Sequence, residues 1–504
     1  MGTKRHRSGN GNGNGESSQN GKKKPRYHPF NRYKNIYVID TDTLEYDPNV
    51  IENLGDNVIS IPMSAIVALD NRKKGYSNDS GESVLEITRQ LDEYRKLGSL
   101  SDGVKTRAGG LLVIAWETAK MNEWPSRLPQ SDSAMTIMLA KFYQNQFTRH
   151  KVALISTNKN TRLLANSLGV NCEDYKFSKV IQKLDELYSG FIEVVLEEGE
   201  EGFLTELHTH RFLDIKQLAA AREMEMYYPN QCCRLVSSDR SRSSLAIFKK
   251  QDFRLELVRT NFDFVKKRGV APKNPEQCFL YHLLMDPEIS LVTCAGKAGT
   301  GKNLIASLAG LQLLDENRIV SMEFYRPMSV VEKSMGFLPG NADQKFGPWS
   351  APIFDTFSQI KGEDISGQYE SAKKEKKGVP VRPVKEMVQP KVPQWLTNLM
   401  DGGVIEINPL TYIRGRSIPN RLIIVDETQN ISPHVAKTIV TRAGANTKVV
   451  LIGDPAQIDE SNLDYSNNGL AHVIQRCKEE EMQGHITLIT SERSPLAEMA
   501  ANRL

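Results

Sequence analysis

A glycine-rich loop at the end of an apolar run, LVTCAGKAGTGKN at residues 291–303, constrains this chain more than any other stretch. Gly296, Gly301 and Lys302 keep the G-x-x-x-x-G-K spacing of a phosphate loop, with Lys297, Ala298, Gly299 and Thr300 between the glycines. Glycines let the backbone turn tightly and aim successive N–H groups at phosphate oxygens. Lys302 adds a point charge for the β- and γ-phosphates. The run NLIASLAGLQLL (303–314) reads as a helix that offers its positive end to the same anion. One position departs from the motif: Asn303 stands where Ser or Thr normally coordinates Mg²⁺.

Two later segments fit the same site. In RLIIVDETQN (421–430), four apolar residues read as a buried strand ending in Asp426 and Glu427. After a phosphate loop, that Asp is placed to hold Mg²⁺ and the Glu to orient the attacking water. The strand KVVLIGDPAQID (448–459) ends in Gly453, Asp454 and Gln457, which suits a γ-phosphate sensor at the carboxyl edge of a sheet. Together the three strand ends predict an ATP site.

A chain of 504 residues has room for two to four domains. No stretch approaches the roughly 20 apolar residues needed to span a bilayer, and no apolar signal-peptide core is present, so no membrane role and a cytoplasmic location are expected. Six scattered cysteines without metal-site spacing fit a reducing compartment. His208 and His210 alternate in a strand-like run, expected to be a surface pair. Net charge is +4, yet residues 1–30 hold seven Lys/Arg against Glu16. This segment, with its GNGNGNG repeat, is expected to be a disordered basic tail, either solubilising or a non-specific arm for nucleic acid.

Strand-like and helical runs alternate from residue 31 to about 180, predicting an α/β domain with a parallel sheet. FSKVIQKLDELYSG (177–190) reads as an amphipathic connecting helix, and short strand-like runs make residues 181–264 a linker helix plus a small β-rich element. A second α/β domain is expected over 265–504, with a polar, basic, proline-bearing insertion at 361–393 hanging over the nucleotide face.

Over residues 271–504 the segments APKNPEQ, GKAGTGKN, YRPMSVVEKSMGFLPG, INPLTYIRGRSIPNRLIIVDETQN, LIGDPAQID, NNGL and SERSPLAEMA resemble, in order, the PhoH family of P-loop ATPases. That family is close in design to the first RecA-like domain of superfamily 1 helicases. The resemblance implies that Gln277 lies near the adenine. It also implies phosphate-side roles for Arg414, Arg416 and Arg493, with reach across a subunit boundary, and a homo-oligomer, a ring being one form. Single-stranded RNA is the implied partner.

The N-terminal domain resembles a PIN nuclease domain in YVIDTDTLEYDP, SDSAMTIMLAK and STNKNTRLLANSLGV. PIN chemistry needs clustered carboxylates to hold Mg²⁺ or Mn²⁺ and activate water. Asp40 and Asp132 match ligand positions, with Asp42 adjacent. The family's Glu is Ala68 here and its late Asp is Asn158, while Asp70, Glu173 and Asp174 sit at neither missing position. The fold class is therefore α/β: a PIN-like domain, then a RecA-like P-loop ATPase domain. Three functions stay open: an RNA-associated ATPase with helicase- or ribonuclease-like activity, a weakened ATP- and RNA-binding scaffold, and an ATPase that remodels proteins.

Overall fold

Runs of apolar residues too short for helices, such as NIYVI, VISIP, LLVIA and KVALI, become strands buried on both faces, as parallel sheets require. The computed structural model describes residues 28–75, 80–115, 131–175, 180–219, 227–258, 262–327, 342–360, 392–413, 415–460 and 463–492. The first sheet contains β1 (Asn35–Ile39), β2 (Val58–Pro62), β3 (Val104–Lys105), β4 (Leu111–Ala115), β5 (Lys151–Ile155) and β6 (Cys172–Glu173) in the order β3-β4-β2-β1-β5-β6. All its pairings are parallel except β3 with β4. Most of the basic tail lies outside the described residues, but its last three do not behave as a tail. Phe30 is buried against Tyr143 and Phe147, because an aromatic side chain beside a 3-10 turn closes the end of the domain core.

The middle sheet holds β7 (Phe191–Val195), β8 (Phe212–Asp214), β9 (Cys232–Val236), β10 (Ser243–Lys249) and β11 (Arg254–Leu257), ordered β7-β9-β10-β11-β8. Two expectations fail here. Residues 180–190 are not a helix: they run extended around one 3-10 turn, Leu184–Glu186. Their hydrogen bonds go outward instead, Val180 N–H to the Ser466 carbonyl and the Gln475 amide to the Glu186 carbonyl. Tertiary partners override helical spacing. His208 and His210 lie on a helix, Gly202–His210, because Leu204 and Leu207 three positions apart bury one helical face.

The C-terminal sheet is wholly parallel: β12 (Leu291–Gly296), β13 (Ser321–Arg326), β14 (Ile405–Pro409), β15 (Arg421–Val425), β16 (Lys448–Gly453) and β17 (Gln483–Leu488), ordered β14-β13-β15-β16-β12-β17. Parallel pairing brings the carboxyl ends of β12, β13, β15 and β16 to one edge. The helix Lys302–Asp315 is buried on most sides, matching its largely apolar composition from Leu304 to Leu314. The expected insertion lies outside the described residues up to 391. Val392 and Pro393 belong to the domain, Val392 packing on the core and Pro393 capping the helix Gln394–Asp401.

The two α/β domains touch. Ile458 and Leu463, on the loop after β16, join the N-terminal apolar cluster of Leu44, Tyr46 and Ile51. Among the described residues, no helix is long and apolar enough to cross a membrane.

Candidate nucleotide site and N-terminal acidic cleft

The phosphate loop turns on glycines that have no substitute. Gly301 has φ +86°, and a Cβ there would meet the Gln277 amide at 2.9 Å; a Cβ on Gly296 would meet the Leu488 carbonyl at 2.6 Å. Lys302 ends the loop and folds back, its Nζ donating to the carbonyls of Gly296 (2.5 Å) and Lys297 (2.9 Å). The Thr300 hydroxyl donates to the Lys297 carbonyl at 2.9 Å. Thus Gly296, Lys297 and Thr300 build the loop's frame, and Ala298, Gly299, Gly301, Lys302 and Asn303 face a cavity of about 530 Å³.

That cavity gathers residues far apart in sequence: Gln277, Asp426, Glu427, Asp454 and Gln457 also line it. Gln277 is held by its own fold. Its amide donates to the Thr300 carbonyl (3.0 Å) and accepts from the Lys273 N–H (2.9 Å), so it clamps the loop's base. Asp426 and Glu427 follow β15, and Glu427 takes a left-handed φ of +53° that a non-glycine residue adopts only under constraint. Burial, then the neighbouring Asp426 charge, pushes the Glu427 carboxyl above its ordinary value.

Two acceptors in this cavity lack partners among the described residues: Asn303 Oδ1 and Asp454 Oδ2, both buried. An unsatisfied buried oxygen costs free energy unless a ligand supplies what it lacks. Mg²⁺ in nucleotide sites takes one or two protein oxygens and completes its shell with phosphate and water, so this donor set fits it.

Gln429 was not singled out by sequence, although it lies in the VDETQN run. Its Nε2 donates to Glu427 Oε2 (2.6 Å) and to the Gln457 carbonyl (2.9 Å), while its Oε1 accepts from the Asp454 N–H (3.0 Å). One amide therefore fixes the acidic strand end against the sensor loop. Arg326, at the end of β13, stands 3.6 Å from Glu427, and the Glu492 N–H binds the Gly299 carbonyl at 3.0 Å. Both lie within segments that carry the family resemblance, YRPMSVVEKSMGFLPG and SERSPLAEMA, but sequence alone assigns neither a role.

Of the three arginines expected near the phosphates, Arg414 and Arg493 lie outside the described residues. Arg416 does not line the cavity. It binds Glu323 (3.2 Å) and the Tyr325 hydroxyl (3.0 Å), because the Glu323 carboxylate is fully buried on β13 and needs cationic partners; Arg421 is another.

In the N-terminal domain Asp40, at the end of β1, caps the helix Thr41–Tyr46 by accepting from the Thr43 N–H (2.9 Å), and its other oxygen accepts from Ser156 (2.5 Å). Burial, then the charge of Asp42, pushes its carboxyl up to about 6. Asn158 caps the helix Lys159–Ser167 and donates to Asp42 at 2.8 Å. Asp132 begins the helix Asp132–Gln146, with Oδ2 3.8 Å from Arg72. Asp40 and Asp132 thus stand at the starts of two helices, and among the described residues no three carboxylate, His or Cys groups gather as a metal site. Glu173 and Asp174 are engaged by Lys151 and Arg162.

Comparison with known proteins supplies the lineage. Residues 269–502 match the PhoH-like protein family and residues 37–176 match a PIN domain family. Protein PhoH2 of Bacillus subtilis is 33% identical over 475 residues, covering 93% of this chain and 99% of that protein. The chain belongs to the PhoH family. Proteins PhoH2 of Thermobispora bispora and Mycolicibacterium smegmatis are 29% and 27% identical, each across 93% of this chain and 96% of theirs. This PhoH-family protein thus joins a PIN domain to a P-loop NTPase domain over nearly its whole length.

Proposed function

We propose that this protein binds ATP with Mg²⁺, hydrolyses it, and does so in association with single-stranded RNA as a homo-oligomer, while its PIN domain binds or positions RNA without cleaving it. The observation that carries the ATP reading is one cavity joining Lys302, Asp426, Glu427 and Gln457 with two orphaned oxygens, Asn303 Oδ1 and Asp454 Oδ2.

The chain's own residues account for the chemistry. Loop N–H groups and Lys302 would hold the β- and γ-phosphates, which draws the lysine off the carbonyls it now caps. Glu427, its carboxyl raised above the ordinary carboxylate value by burial and the Asp426 charge, orients the attacking water and takes up its proton. Gln457 contacts the γ-phosphate, and Gln429 keeps the base and the sensor in register. Asp426, Asn303 and Asp454 would hold Mg²⁺, which neutralises phosphate charge when bound.

The test is ATP turnover by the full chain in Mg²⁺ or Mn²⁺, with and without single-stranded RNA, beside Lys302→Ala. RNA-stimulated hydrolysis that Lys302→Ala abolishes along with fluorescent-nucleotide binding is the expected result. Nucleotide binding without turnover under any condition favours a second reading, an ATP- and RNA-binding scaffold, to which Asn303 in the Mg²⁺ position lends support. Unchanged binding in Lys302→Ala rejects the site.

A further inference from the structure

The helix Met63–Gly75 carries Ala68 and, one turn later, Arg72. Position 68 is where a PIN domain would carry a metal-ligating Glu, so the cleft loses a negative charge there and gains a positive one beside it. Arg72 reaches into the carboxylates: its guanidinium contacts Glu45, lies 2.9 Å from Asp42 Oδ1 and 3.8 Å from Asp132 Oδ2. Asp42 Oδ2 accepts from Asn158 at 2.8 Å. Each oxygen of Asp40 likewise accepts a protein hydrogen bond, from Thr43 and from Ser156. A divalent ion needs oxygen lone pairs facing one point at roughly 2.0–2.6 Å. Here one lone pair on each oxygen of Asp40 and Asp42 is committed to a protein donor, and a permanently charged guanidinium contacts Asp42 and Glu45.

We propose that Arg72 is the resident cation of this cleft: its guanidinium neutralises Asp42, Glu45 and Asp132 in the place a divalent metal would take, and closes the cleft to metal. Three features favour this over a chance surface pair. The arginine is mostly covered, with a side-chain exposure of 27%. It engages carboxylates from two different helices, Thr41–Tyr46 and Asp132–Gln146. Asn158 is an uncharged donor where a further ligand would sit, so both departures act in one direction.

The inference deepens the proposal that the PIN domain does not cleave RNA, and its test reads metal binding instead of cleavage, so the two can fail separately. Mn²⁺ binding by the nucleotide-free full chain would be followed by electron paramagnetic resonance of free Mn²⁺, with thermal unfolding measured with and without Mn²⁺. Wild type and Asp42→Asn should bind the same amount, because the cleft contributes nothing. Arg72→Gln should gain about one equivalent of Mn²⁺ and a Mn²⁺-dependent rise in unfolding temperature, both lost in Arg72→Gln with Asp42→Asn. Arg72→Lys, which keeps the charge, should gain neither.

A Mn²⁺ equivalent present in wild type and missing in Asp42→Asn overturns the proposal, whether or not the Arg72 variants fold. So does a folded Arg72→Gln protein that takes up no additional metal. If Arg72→Gln folds only when Mn²⁺ is supplied, the metal is replacing the guanidinium as proposed.

Discussion

The Tyr46 hydroxyl donates a hydrogen bond of 2.5 Å to the backbone carbonyl of Asn467, joining residues 421 positions apart in sequence. Tyr46 ends the helix that Asp40 caps; Asn467 precedes the cap of the helix Gly469–Cys477 and closes the loop that begins at Asp454. The N-terminal domain and the loop after β16 are thus hydrogen-bonded neighbours. Tyr46→Phe leaves that buried carbonyl without its donor and should cost about 1–2 kcal/mol, read as a lower urea midpoint at unchanged slope. An unmoved midpoint would mean the bond contributes nothing.

Asn303→Thr should raise ATP turnover several-fold. The amide oxygen now at that position is buried and unpartnered on a residue that lines the cavity, whereas a threonine hydroxyl is the shorter ligand that phosphate loops use. Steady-state kinetics in Mg²⁺ decide it, and a turnover number that stays level or falls means the site has adapted to the amide.

Gln429→Leu removes three hydrogen bonds that align Glu427 with the sensor loop, without touching the phosphate loop. The turnover number should drop on the order of 10²-fold, because small displacements of a base carry large rate penalties. Nucleotide affinity in a fluorescence titration should stay close to wild type. Equal losses in both would assign Gln429 to overall folding.

His485 on β17 is buried, with Nδ1 2.8 Å from the Thr293 hydroxyl and Nε2 3.1 Å from that of Thr487. Burial lowers its pKa to about 3, from 6.5 in an unfolded chain. Between those values the unfolded chain binds a proton that the folded one refuses, so this residue's contribution is complete above about pH 6.5 and shrinks as pH falls toward 3. By pH 5 the loss is on the order of 2 kcal/mol. Denaturant unfolding at pH 7 and pH 5 should show that loss, and His485→Gln should flatten it. An identical pH dependence in the variant would show that His485 stays hydrated or already charged.

Much of the architecture could be read from the chain because its sheets are parallel and buried, so strands appear as short unbroken apolar runs such as RLIIV and KVVLIG. The loop residues 296–303 and the two acidic strand ends were legible because spacing alone fixes them. Features set by distant partners were not. The segment after 180 has helical spacing but spends its hydrogen bonds on Ser466 and other distant groups. Arg416 lies within a family motif, yet a buried glutamate 93 positions earlier claims it. Arg72 had no role in the sequence; only the packing of its helix beside Asp42, Glu45 and Asp132 gives it one.

Ile458 and Leu463 lie in the N-terminal domain's apolar cluster although the chain reaches them only after β16. A truncated fragment ending near residue 180 would therefore lack part of its own interior and expose the surface those side chains cover. An excised PIN fragment is a different object from the domain in the intact chain.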